Sequence, residues 1–165
     1  MRNKTQCVVL ALAALVLVLA LAAPGVAAPP SYVHRLAGRP IQAILASDGA
    51  LYAGDRLGEG VHRSLNQGQD WAAYGQGLGL EDVMALAQRG DYVLAGTWGE
   101  GVYQRKPADA AWSPLRSGMK SDHRSIRALA CTAGASPTVY AADPDQMVYR
   151  LLPGASSWEQ LPAVG

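Results

Sequence analysis

Two observations predict an all-β chain built from three four-stranded antiparallel units. A tryptophan recurs in a constant context, and each recurrence follows short apolar runs broken by turn residues. Trp71, Trp112 and Trp158 are spaced by 41 and 46 residues. Val61, Val102 and Val148 each stand ten residues before their tryptophan, followed by His62, Tyr103 and Tyr149. One run upstream lie "LYAG", "VLAG" and "VYAA". Agreement at so many positions marks an internal repeat. The runs are too short for helices, and the Gly-Asp, Gly-Glu and Pro-x-Asp steps between them are hairpin chemistry. Four strands per unit of about 40 to 45 residues is the arithmetic of a β-propeller blade. The expected architecture is therefore an open or partial propeller of three blades.

The elements follow in chain order. Arg2 and Lys4 precede an unbroken apolar run from Cys7 to Ala23, and "PGVAAPP" comes after it. This pattern describes a secretory signal peptide over residues 1–27, cut after Ala27. The alternative is retention as a membrane anchor, because 17 apolar residues lie near the lower limit for spanning a bilayer. Either way the remainder is expected to be secreted or extracytoplasmic, and tied to a membrane only if the leader is retained. Residues 28–40 contain "APPSYVHRLAGRP" and read as an extended lead-in, since proline biases its neighbours away from helix. The blades are expected over 41–81, 82–124 and 125–165. In the second, the four runs are "VMALA", "YVLAG", "GVYQR" and "AWSPL". Their incomplete alternation is expected of strands covered on both faces.

Composition narrows the function. The chain carries 14 basic and 13 acidic residues; removing Arg2 and Lys4 with the leader leaves a net charge of −1. That is no electrostatic footprint for nucleic acid. Cys131 is then the one cysteine of the mature chain, so no internal disulfide forms, and its apolar neighbours in "RALACTAG" suggest a buried structural thiol.

One turn is more specific than the rest. "SLNQGQDW" reads Ser64-x-Asn66-x-Gly68-x-x-Trp71. It resembles the Asp-box, or BNR repeat, of sialidases, sortilin-type receptors and photosystem II assembly-factor propellers, with Asn66 in place of the usual aspartate. Asparagine keeps the side-chain carbonyl that closes the turn, and Gly68 permits a positive φ. The other two units keep only the tryptophan. In this superfamily the box lies on the hairpin between third and fourth strands, away from the ligand face. The resemblance therefore implies a structural role for Ser64, Asn66, Gly68 and Trp71.

Propeller geometry points instead to the loops between second and third strands and to the blade crossovers. Those loops, "DRLGE", "TWGE" and "DPDQ", together with "KSDHR", collect Asp55, Arg56, Glu59, Trp98, Glu100, Asp122, His123, Arg124, Asp143 and Asp145. Loops on a rigid scaffold commonly carry binding residues, and carboxylates beside a tryptophan suit a sugar or a peptide. Sialidase chemistry needs three arginines, a tyrosine nucleophile with a glutamate partner and an acid/base aspartate. Arg56, Arg124, Tyr103 and Glu100 supply the types without a recognisable arrangement, so no catalysis is expected. His34, His62 and His123 lack partners at ligand spacing, and "DPDQ" lacks the rest of a calcium loop. "GLGLED" and "GDRLGEG" lack the strand–helix context of a phosphate loop. No cofactor or metal is expected.

Three blades leave two sheet faces without a neighbour, whereas propellers close with four to eight. Three readings follow: a truncated product, two copies completing a six-bladed ring, or docking on another protein. The expected function is a non-catalytic binding or assembly module for a protein or glycan partner. The alternative is a fragment of a sialidase- or glycoside-hydrolase-like propeller.

Overall fold

The computed structural model describes Tyr32, Val33, Leu36 and residues 38–79, 81–122 and 124–162. The expected leader and most of the lead-in lie outside the described residues. Among the described residues there are strands and turns and no helix. Blade one is β2 (Ile41–Ser47), β3 (Ala50–Asp55), β4 (Val61–Ser64) and β5 (Trp71–Ala73). Blade two is β6 (Val83–Arg89), β7 (Tyr92–Thr97), β8 (Val102–Arg105) and β9 (Ser113–Pro114). Blade three is β10 (Ala128–Cys131), β11 (Val139–Ala142), β12 (Val148–Leu151) and β13 (Glu159–Gln160). Each is an antiparallel meander, and the first strands β2, β6 and β10 lie side by side. A further strand, β1 (Tyr32–Val33), pairs along the outer edge of blade one, with Tyr32 opposite Ala72 and Val33 opposite Trp71.

Burial explains the weak alternation. Every residue from Val93 to Thr97 is buried, because blade two is sandwiched between its neighbours. The repeat keeps register: Ala53 faces His62, Ala95 faces Tyr103 and Ala141 faces Tyr149 across the ladder. Tyr103 and Tyr149 each look back into the gap behind their own blade. Gap one joins Tyr52, Val61, Tyr74 and Leu78 to Val83, Val93, Tyr103 and Trp112. Gap two joins Leu94, Val102, Leu115 and Met119 to Ile126, Val139, Tyr149, Leu151 and Trp158. The apolar area removed from water in these two gaps is the main force between blades.

Tryptophan adds direction to that force. The Trp112 indole N–H donates to the Tyr74 carbonyl at 2.6 Å, and its backbone N–H to Gln76 at 2.8 Å. One blade on, the Trp158 indole donates to Leu115 at 2.7 Å and its backbone N–H to Ser117 at 2.7 Å. Tyr74 and Leu115 each stand three residues after the preceding tryptophan. Each tryptophan thus holds the exit of the blade before it. Trp71, with no preceding blade among the described residues, donates instead to Gly68 within its own turn at 3.0 Å.

Glycine permits the close approach. A Cβ on Gly54 would lie 2.5 Å from Val83 of the next blade, and one on Gly96 would lie 2.8 Å from Ile126. Under the tryptophans, a Cβ on Gly77 or Gly118 would meet the Trp112 or Trp158 carbonyl at 2.7 and 2.1 Å. Blade three departs at this register. Ala142 pairs with Val148 where Gly54 pairs with Val61 and Gly96 with Val102. Its outward face also carries Tyr140 and an Arg150–Glu159 ion pair at 2.9 Å. Another blade in the repeat geometry, including blade one of a second copy, would meet the Ala142 side chain.

Gly118 and Gly154 both have positive φ, +85° and +75°, but a Cβ at Gly154 meets nothing within 4 Å. Gly154→Ala should therefore cost only the conformational penalty, about 1–2 kcal/mol. Gly118→Ala should cost at least about 2 kcal/mol more, because it also forces the blades apart. Urea denaturation of the two variants checks the difference.

Candidate functional site

The loops between second and third strands are built on one column of the repeat. Asp55 Oδ1 accepts the Leu57 and Glu59 N–H groups at 2.9 and 3.3 Å. Asp143 Oδ1 accepts those of Asp145 and Met147 at 3.0 and 2.8 Å. In blade two the column holds Thr97, whose hydroxyl donates to Gly101 at 2.9 Å. Asp55, Thr97 and Asp143 are buried. Two of the carboxylates expected on the ligand face therefore turn inward and hold their own loops, as aspartate does in turns generally.

Asp55 also anchors a charge cluster. Arg39 Nη1 donates to Asp55 Oδ2 at 3.0 Å and pairs with Glu59. His62 Nε2 lies 3.3 Å from Asp55 Oδ2, and the ring is buried. Burial acts to raise the Asp55 carboxyl, but hydrogen bonds from the Leu57 N–H, Arg39, His62 and the Glu59 N–H outweigh it and hold the group below its ordinary value. Glu59, followed by the weaker Asp55 contribution, raises Arg39 against the opposing effect of burial. Asp55, Glu59 and His62 could offer ligand atoms within 4.8 Å of one another. The Arg39 guanidinium already bonds both carboxylates, which gives this cluster its cation.

A different set of residues converges on an open pocket of about 410 Å³, lined by Gln42, Arg56, Asp82, Met84, Trp98 and Arg127. Gln42 and Met84 sit in register shifts of β2 and β6, between Ile41 and Ala43 and between Val83 and Ala85. A bulge of this kind re-aims a side chain out of the regular ladder. Arg127 holds the matching place just before β10, where its N–H donates to Ala142 at 2.9 Å. Arg56 and Trp98 each follow the loop-holding column. The Arg56 N–H donates to Pro40 at 3.3 Å and the Trp98 N–H to Asp82 at 3.0 Å. Trp98 is 46% exposed, and the Arg127 guanidinium lies over its ring at 5.1 Å.

Of the residues expected on this face, only Arg56 and Trp98 line that pocket. Glu59 is tied to Arg39, and Glu100 pairs with Arg116. The Arg124 carbonyl accepts the Gly101 N–H at 2.8 Å, while its Nε is buried without a partner among the described residues. Asp122 and Asp145 are exposed, and His123 lies outside the described residues. Gln42, Met84 and Arg127 were missed, although they occupy one column of the repeat. That column was the available signal.

The "SLNQGQDW" turn closes on itself. Ser64 Oγ accepts the Gly68 N–H at 2.8 Å and donates to Asn66 Oδ1 at 3.0 Å. Asn66 Oδ1 accepts the Asp70 N–H at 2.9 Å. Gly68 has φ +86°. Blade two holds the same turn differently: Arg105 Nε and Nη2 donate to the Asp109 carbonyl at 3.1 and 2.8 Å.

Comparison with known proteins finds no matching family model and no matching curated protein. Among solved structures, the chain resembles the computationally designed Ika8 protein with a TM-score of 0.56 at 19% identity, over 75% of this chain and 37% of that one. It resembles the designed Ika4 protein with a TM-score of 0.54 at 20% identity, over 77% of this chain and 73% of that one. A structure of YCF48 bound to D1 peptide matches with a TM-score of 0.46 at 15% identity, over 71% of this chain and 38% of that one. The chain thus spans under two fifths of Ika8 and of YCF48. The fold is a partial β-propeller.

Because the Asp55 carboxyl is held below its ordinary value, its contribution is present above the unfolded carboxylate pKa, about 3.9, and is lost as pH falls through the folded value. Asp55→Asn should cost about 2 kcal/mol at pH 7. The gap from the parent chain should shrink as pH is lowered from about 5. Denaturant midpoints measured across that range test both statements.

Proposed function

We propose that the chain is an exported, non-catalytic binding module of the Asp-box propeller type, which takes an extended acidic peptide in the pocket lined by Arg56, Trp98 and Arg127. The observation that carries this reading is the convergence of two guanidiniums and an exposed indole on one concavity. Guanidinium forks match carboxylates in shape and charge. Trp98 offers a flat apolar surface beside them. The Gln42 amide and the Asp82 carboxylate supply acceptors for peptide N–H groups, and Met84 an adaptable apolar wall. A neutral sugar suits this wall less well, because Asp55 and Asp143 spend their carboxylates on their own loops. The self-contained Ser64–Trp71 turn supports the Asp-box reading and a structural role for those residues.

The absence of catalysis is part of the proposal. Tyr103, the one candidate nucleophile named from the sequence, is buried in gap one. Its neighbour Glu100 is engaged by Arg116. Neither faces the pocket lining.

The test is capture of an array of short acidic and neutral peptides by the mature chain. Acidic peptides should be retained preferentially and released by salt. Trp98→Ala combined with Arg127→Ala should weaken capture by about tenfold or more with the melting temperature unchanged. Equal capture of neutral peptides, or undiminished capture by the double variant, contradicts the reading.

A further inference from the structure

Arg56 and Trp98 are suspended in the same way, each by its N–H on the residue that precedes a first strand: Pro40 for Arg56, Asp82 for Trp98. Both acceptors adjoin an equivalent strand pair, Ile41 with Asp55 and Val83 with Thr97, but what packs the chain upstream of them differs. Asp82 belongs to the crossover from blade one, which is packed in place by Leu78 at the core of gap one. Pro40 has no preceding blade among the described residues. Beside it stands Arg39, with its Nη1 3.0 Å from the buried Asp55 carboxylate and in contact with Glu59. The backbone of this segment turns on itself: the Arg39 N–H donates to Leu36 at 3.2 Å and the Ile41 N–H to Arg39 at 3.0 Å.

We propose that Arg39 is a positioning residue for the loop-face pocket. Its ion pairs with Asp55 and Glu59 strap residues 38–40 to the β3–β4 loop and so hold the Pro40 carbonyl under the Arg56 N–H. The inference extends the binding reading above by naming what sets one of its walls. The strap is electrostatic on one side and structural on the other. Asp55 keeps its loop through Oδ1, which accepts Leu57 and Glu59, and gives Oδ2 to Arg39 and His62. Among the described residues, the charged groups facing Arg39 are Asp55 and Glu59, with His62 behind Asp55. Glu59 is about half exposed, so added salt reaches the pair.

This division of labour is measurable by amide exchange in the peptide-free chain. Arg39→Gln should speed exchange of the Arg56 amide by about tenfold or more, while the Leu57 and Glu59 amides stay protected by Asp55. Arg39→Lys should restore part of the protection, and high salt should reproduce the effect in the parent chain. An unchanged Arg56 amide in Arg39→Gln overturns the proposal. So does a joint rise at Arg56, Leu57 and Glu59, which would make Arg39 a general stabiliser of the loop. Failure of the pocket itself is read separately, from peptide capture by the Trp98→Ala, Arg127→Ala variant.

Discussion

The structure depends on one repeated interaction: a tryptophan indole that donates to the carbonyl at the exit of the preceding blade. Burial drives the blades together without specifying their angle, since it is proportional to area and has no direction. The Trp112 and Trp158 bonds, at 2.6 and 2.7 Å, supply the direction. Both indoles are buried, so an unmade bond there would strand a polar group away from water. Gly77 and Gly118 let the backbones come near enough for the bonds to form. Packing, hydrogen bonding and backbone freedom therefore agree on one blade-to-blade geometry.

That geometry also builds the pocket. With β2, β6 and β10 side by side, equivalent residues of adjacent blades fall next to each other. The column of Gln42, Met84 and Arg127 becomes one part of the lining, and the column of Arg56 and Trp98 another. In blade three the second column holds Pro144, which has no N–H to suspend it as Arg56 and Trp98 are suspended. The lining accordingly draws on blades one and two for its loop residues and on blade three for Arg127.

The fold was legible in the sequence because tryptophan spacing and the Val-aromatic step survive even where turn residues do not. Blade two replaces the whole Ser64–Gly68 turn with an Arg105–Asp109 bond, yet Trp112 keeps the register. The site was less legible. An aspartate in a loop reads the same whether it faces solvent or folds back on its own amides, and only the hydrogen bonds of Asp55 and Asp143 decide between them. Bulges are equally hidden: Gln42 looks like any polar residue in a strand until a register shift re-aims it. Arg39 lies in a proline-flanked lead-in with no pattern of its own, and its partners stand 16 and 20 residues away. Trp112 and Trp158 fill the gaps between sheets, whereas Trp71 bonds within its own turn.

The central claim, that tryptophan fixes each blade to the one before, is tested most directly by hydrogen exchange at the four indole N–H groups. The account predicts that Trp112 and Trp158 exchange only through global unfolding, with equal free energies that follow the stability of the whole chain. Trp98, exposed at the pocket, should exchange freely, and Trp71 should exchange through opening of its own turn. Exchange of Trp112 and Trp158 as rapid as that of Trp98 would contradict the account.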